Sequence, residues 1–282
     1  MSVLEDLRAE LAESTERLLA TVAKLTDDDL RAPSLLPGWS RGHVLAHVAR
    51  NADGHVNLLT WARTGVPTPQ YPTPEARAAG IEAGAGRPVE EQLADLRESA
   101  NRLDRAMRDM PAAAWSATVV AMRPPEHTAW YIPIRRIREV EVHHADLGAG
   151  YGWPDWPDSY VRRELYDSVL SWPRELSTVS EIVCEEPGGG EPIVWRGLGA
   201  GPAVHGAPRE LLAWLTGRSA GEGVHARPTG HGRDDAPALS GGIELSGETT
   251  ADTPPAPPPW LVMPAPPGLP ADPPACWPPA RD

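Results

Sequence analysis

His43, His47, Asn51 and His55 recur every four residues in one segment of the chain, and Glu139 and His143 stand four apart in another. Four residues is close to one helical turn, so each set forms a column along one side of a helix. Arg135 extends the second column, and Asp146 follows His143 by three. Two neighbouring helices can therefore offer His47, Glu139 and His143 to a shared centre. Two imidazoles and one carboxylate on rigid helices suit a divalent metal with open positions, most simply Zn2+. The competing use of a Glu–His pair at this spacing is a solvated ion pair, worth about 0.3 kcal/mol. The histidine column on the other segment favours the metal, because several imidazoles on one face lack a packing reason. His144 competes with His143 but points about a third of a turn away, which suits a structural role. Asp146 can orient His143 or simply end the helix.

The elements that must position these residues are helical by period. Leu4, Leu7, Leu11, Leu18, Val22 and Leu25 mark an amphipathic helix over 3–25. Leu36-Pro37-Gly38-Trp39 breaks the pattern, and Ser40 stands as N-cap of a second helix reaching about Ala62. Residues 65–87 read as a loop rich in Pro and Gly. Pro88 opens a third helix with Val89, Leu93, Leu96, Leu103 and Met107 as its stripe, and 117–122 read as an extended connector. A fourth helix spans about Ile132 to Asp146 and stops at Leu147-Gly148.

The spacing thus predicts a mainly α protein with a four-helix bundle over residues 1–150. A helix over 158–170, strands at 181–184 and 193–195 around Gly188-Gly189-Gly190, and a short helix over 208–215 predict a small α+β domain over 151–226. Thirteen of the 33 prolines fall between Ala251 and Asp282, so 227–282 reads as a disordered Pro-rich tail in which Trp260 and Trp277 are the residues able to dock.

Composition narrows the function. The 26 basic and 39 acidic residues give a formal charge of −13, which argues against a nucleic-acid partner. No apolar run approaches the roughly 20 residues that span a bilayer, and the first ten residues carry charges where a leader would be apolar. A soluble cytoplasmic protein, monomeric or a small homo-oligomer, is expected. Cys184 and Cys276 form neither a disulfide framework nor a metal knuckle. His127, His205, His225 and His231 lack paired spacing and read as surface residues. Arg135 and Arg136 read as solvated surface in preference to an anion site. No GxSxG elbow supplies a side-chain nucleophile.

The segment from Leu36 to Asp53, LPGWSRGHVLAHVARNAD, resembles the signature of the mycothiol-dependent maleylpyruvate isomerase family of the DinB-like metalloenzyme superfamily. Arg138 to Leu147, REVEVHHADL, is similar to the family's second metal motif. The resemblance covers residues 1–150 well and the small domain to about Arg218 more weakly. It implies a DinB-like bundle with His47, Glu139 and His143 as metal ligands. It also implies that Arg218, at the end of Leu211-Leu212-Ala213-Trp214-Leu215-Thr216-Gly217-Arg218, holds a substrate carboxylate; complementing a helix C-terminus is the equal alternative.

The activity implied is cis–trans isomerisation by addition and elimination of mycothiol, on a small electrophilic carboxylate substrate. A mycothiol S-transferase, or a non-catalytic metal-binding or regulatory relative, would carry the same motifs.

Overall fold

The computed structural model describes residues 2–228, 253–258 and 265–280. It resolves into two compact units, 1–163 with 263–282, and 164–262. The first unit opens with α1 (Val3–Val22), where Ser2 and Glu5 form a reciprocal capping box and Leu7, Leu11 and Leu18 are buried. After α2 (Asp27–Arg31) comes α3 (Arg41–Thr64), capped by Ser40 and closed by Gly65 in the left-handed conformation (φ 71°). Then follow α4 (Pro74–Ala85), α5 (Val89–Arg108), a two-stranded antiparallel ladder of β1 (Thr118–Val119) and β2 (His127–Thr128), and α6 (Ile132–Asp146). The unit boundary falls within α7 (Asp158–Leu170).

Residues 65–87, expected as loop, contain α4. Its apolar pattern is weak, with only Ile81, Gly84 and Ala85 buried, so periodicity gives no signal there. Thr73, whose hydroxyl accepts from the Ala76 N–H, followed by Pro74 in the first turn, is the local signature that marks it. The helix lies hard against α3. A Cβ on Gly42 would fall 2.1 Å from the Ala85 carbonyl oxygen, and one on Gly84 would fall 2.8 Å from Ala46 Cβ. Small residues on both helices permit that approach and bring Arg77 to the face of α3 that carries His47.

Two sets of contacts fix α3 against α6. At one end Arg41 Nε and Nη2 donate to the carbonyls of Leu147 and Gly148 (2.7 and 3.0 Å), satisfying groups beyond the last turn of α6. At the other, Arg136 Nη1 donates to Val48 O and Asn51 Oδ1, both at 2.8 Å. Residue numbers rise along one helix as they fall along the other, so the two are antiparallel. His47 lies between the pins on α3, as Glu139 and His143 do on α6.

The second unit is a four-stranded mixed sheet in the order β4 (Ile193–Arg196), β3 (Glu181–Cys184), β5 (Ala203–Gly206), β6 (His225–Arg227), with helix α8 (Pro208–Leu215). β3 and β4 form the expected antiparallel pair; β5, parallel to β3, and β6 add the mixed character that the sequence reading did not anticipate.

Of the expected tail, residues 229–252, 259–264 and 281–282, with His231 and Trp260, lie outside the described residues. Within the first unit, Trp130 Nε1 donates to Pro270 O (2.9 Å) and its ring meets Trp277 edge-on at 5.5 Å. Within the second, Trp214 Nε1 donates to Pro255 O (3.1 Å) and Thr178 Oγ1 to Ala256 O (2.8 Å). Proline segments have few N–H groups of their own, which leaves their carbonyls open to such donors.

Candidate metal centre

His47 reaches α6 from the middle of α3 and meets both members of the second column. Its Nε2 lies 3.0 Å from Glu139 Oε2 and 3.1 Å from His143 Nε2, while His143 Nε2 and Glu139 Oε2 are 3.4 Å apart. One donor atom from each residue lies within 4.8 Å of the others, a group that could hold a metal ion. The side chains are 5%, 21% and 16% exposed for His47, Glu139 and His143, so the centre is enclosed but opens to solvent on the α6 side.

The surroundings set the protons. His143 Nδ1 donates to Asp146 Oδ2 at 2.9 Å, which aims Nε2 at the centre. Arg77 Nη2 donates to His47 Nδ1 at 3.2 Å; a guanidinium has no acceptor, so the proton of neutral His47 sits on Nε2, facing Glu139. Burial, with His143 and Arg77 adding to it, pulls the His47 pKa from 6.5 to about 4 against the opposing pull of Glu139. Burial also acts to raise Glu139 and lower His143, but hydrogen bonding wins in both. The two imidazoles hold Glu139 well below the usual carboxylate range, and Asp146 and Glu139 lift His143 above the usual imidazole value.

Only His47 of the α3 column joins the centre. His43 Nδ1 turns back to the Ser40 hydroxyl (2.7 Å), completing the cap of α3. Asn51 is engaged by Arg136, and His55 is fully buried with neither ring nitrogen hydrogen-bonded. His144 is structural: Nε2 meets Thr21 Oγ1 at 2.8 Å and the ring stacks on Tyr151 with centroids 3.7 Å apart.

Three sequence readings are corrected. Arg135 and Arg136 are 8% and 2% exposed, so they are not solvated surface, and His127 is buried at 4%. Arg135 Nη1 donates to His127 Nε2 at 3.0 Å, and Nη2 reaches Gln70 Oε1 at 3.5 Å. Their burial follows from α6 being enclosed along nearly its whole length, which its mixed apolar and charged sequence does not announce. Arg77 and Gln70 escaped notice because both lie in the stretch read as loop. Arg218, in the second unit, donates through Nη1 to Thr216 O at 2.6 Å, and its backbone N–H bonds Ala213 O at 2.8 Å.

A helical unit that closes two histidines and one glutamate from antiparallel helices on a single point has the arrangement of a bundle protein that could hold a metal ion. Residues 11–148 match the family described as the mycothiol maleylpyruvate isomerase N-terminal domain. A crystal structure of the mycothiol-dependent maleylpyruvate isomerase superimposes with TM-score 0.71 at 29% identity, covering 79% of this chain and 92% of that one. A histidine-to-alanine mutant of that isomerase gives TM-score 0.70 at 28% identity over the same shares. No curated protein matches the chain.

Proposed function

We propose that the protein is a zinc-dependent enzyme that uses mycothiol to isomerise a small cis-unsaturated oxo acid of the maleylpyruvate kind. The observation that carries this reading is the convergence of His47, Glu139 and His143. Tetrahedral zinc with bonds of about 2.0–2.1 Å places neighbouring donors about 3.3 Å apart, and the three separations here are 3.0, 3.1 and 3.4 Å. Two nitrogens and one oxygen also fit zinc better than calcium or magnesium, which favour oxygen cages.

In this reading His47, Glu139 and His143 hold the ion, and Asp146 keeps the His143 ring in place. Bound zinc supplies Lewis acidity, favouring the thiolate form of a thiol and stabilising negative charge on a substrate oxygen. Ligation through His47 Nε2 requires that ring to carry its proton on Nδ1, so Arg77 gives up its present acceptor and becomes available to an anion. The thiolate adds to one alkene carbon, the new single bond rotates, and elimination restores the thiol and leaves the trans alkene. No side-chain nucleophile is consumed. Arg218 is assigned a substrate carboxylate, following the family resemblance, and the protein is placed in the cytoplasm as a monomer or small homo-oligomer.

Purified protein supplied with maleylpyruvate and mycothiol should form fumarylpyruvate, and should lose that activity on chelation and in His47→Ala. A stable thioether without the trans isomer would assign S-transfer instead. Less than about half an equivalent of divalent metal after mild purification would count against both reactions.

A further inference from the structure

The α6 column that supplies Glu139 and His143 also supplies Arg135, one turn earlier and about 6 Å along the axis from Glu139. The Arg135 side chain is buried, yet among the described residues neither it nor Arg136 forms an ion pair with a carboxylate. Arg136 is well served by two short bonds to Val48 O and Asn51 Oδ1, which makes it a pin between helices. Arg135 is served poorly: one bond to the neutral His127 ring and one long contact to Gln70 Oε1, an oxygen that also accepts the Met122 N–H at 3.2 Å.

The groups around Arg135 are built to hold it, not to neutralise it. His127 Nδ1 donates to Thr128 O at 2.9 Å, which leaves Nε2 as a lone pair facing the guanidinium. Burial and the neighbouring arginines keep the His127 pKa at about 3, so this ring stays neutral. Two further polar groups there lack partners: the Thr128 hydroxyl, next to His127, and the fully buried His55 ring, whose electrostatic neighbours are Arg135, Arg136, Glu139 and His127. Buried charge is ordinarily compensated. Here Glu139 is the carboxylate that bears on both Arg135 and Arg136, and it is itself shared by His47 and His143; Asp53 bears on Arg136 but not on Arg135.

We propose that Arg135, oriented by His127 and Gln70, is a carboxylate-binding subsite beside the His47/Glu139/His143 centre, and that the ligand it takes is a small dicarboxylate or oxo acid. As a statement about substrate class it rests on the enzymatic reading above, but the anion-binding step stands without the metal. One carboxylate forms a forked pair with the guanidinium, and the rest of the molecule is directed along α6 towards Glu139 and His143.

The probe is maleate. Its binding is measured by calorimetry and thermal shift on the full-length protein freed of metal with phenanthroline, an uncharged chelator that leaves the anion site clear. Maleate should bind and raise the Tm of the unsubstituted protein. Arg135→Met should weaken binding at least about 10-fold, the loss expected for a charge-assisted bond. It should also raise the Tm measured without maleate, because an uncompensated buried cation is gone, whereas an arginine with a purely structural role would lower it. Arg135→Lys, which keeps the charge and loses the fork, should bind with intermediate affinity and keeps the test decisive if the methionine variant does not fold. Absence of maleate binding to the unsubstituted protein, or equal affinity in it and Arg135→Lys or Arg135→Met, overturns the proposal. Zinc stoichiometry is read separately: metal loss with maleate binding intact would sink the enzymatic reading and leave the subsite standing.

Discussion

Two faces of α6 carry the same pair of residue types and use them in opposite ways. On one, Glu141 accepts from Arg17 Nη2 at 2.7 Å and from the Tyr151 hydroxyl, while His144 bonds Thr21 and stacks on Tyr151. On the other, Glu139 and His143 converge with His47, and among the described residues the other polar partners of the two rings are Asp146 and Arg77. The first face matches its acid to cationic and hydroxyl donors drawn from elsewhere in the unit. The second crowds three potential ligand atoms around one point, while behind the rings Arg77 donates to His47 and Asp146 accepts from His143. Burial alone does not separate them, since Glu141 and His144 are more buried than Glu139 and His143. What separates a structural acid–imidazole pair from a candidate ligand set is whether the ligand atoms are each matched to a partner elsewhere or converge on one another.

That contrast can be broken most forcefully at the ligands. His47→Ala should abolish retention of zinc, whereas His144→Ala should leave about one equivalent bound; metal analysis of both after gel filtration decides, and equal content would erase the distinction between the faces. Asp146→Asn should leave the ligands in place but weaken zinc by about 10- to 100-fold, as loss of an orienting carboxylate does, read by competition with a chromophoric chelator.

On the structural face the cost should appear in stability. Glu141→Ala removes the acceptor of Arg17 and Tyr151 and should lower stability by about 2 kcal/mol, moderated because Arg17 is 36% exposed, with metal content unchanged in the same preparation. Urea titration supplies the number.

The smallest effect is a pH dependence. Burial, reinforced by Arg17, holds the His144 pKa at about 4 against an ordinary 6.5. A depressed folded-state value means that the unfolded chain takes up the proton first as the medium is acidified. The stability from neutral His144 is therefore complete above about pH 6.5 and is lost as pH falls towards 4. The Tm of the unsubstituted protein should decline across that window, and the decline should be shallower in His144→Gln.

Local pattern determined much of this protein. The Ser40 cap and the ends of α6 and α7 follow from propensities and stops that act within a few residues, and the four-residue spacing places Glu139 and His143 on one side of α6 whatever surrounds it. Spacing within each helix also nominated His47, but a periodic column cannot say which of its members meets the neighbouring helix. That choice came from the Arg41 and Arg136 pins, which set α3 and α6 antiparallel in one register and left His43 at the cap and His55 in the core. The same packing turned Arg135, Arg136 and His127 from expected surface into buried groups, and placed Arg77 on His47 from a helix whose small residues carry almost no period. Helical periodicity is a one-dimensional property that each segment carries with it; enclosure and charge compensation depend on every segment packed around a residue, so only the tertiary structure decided them.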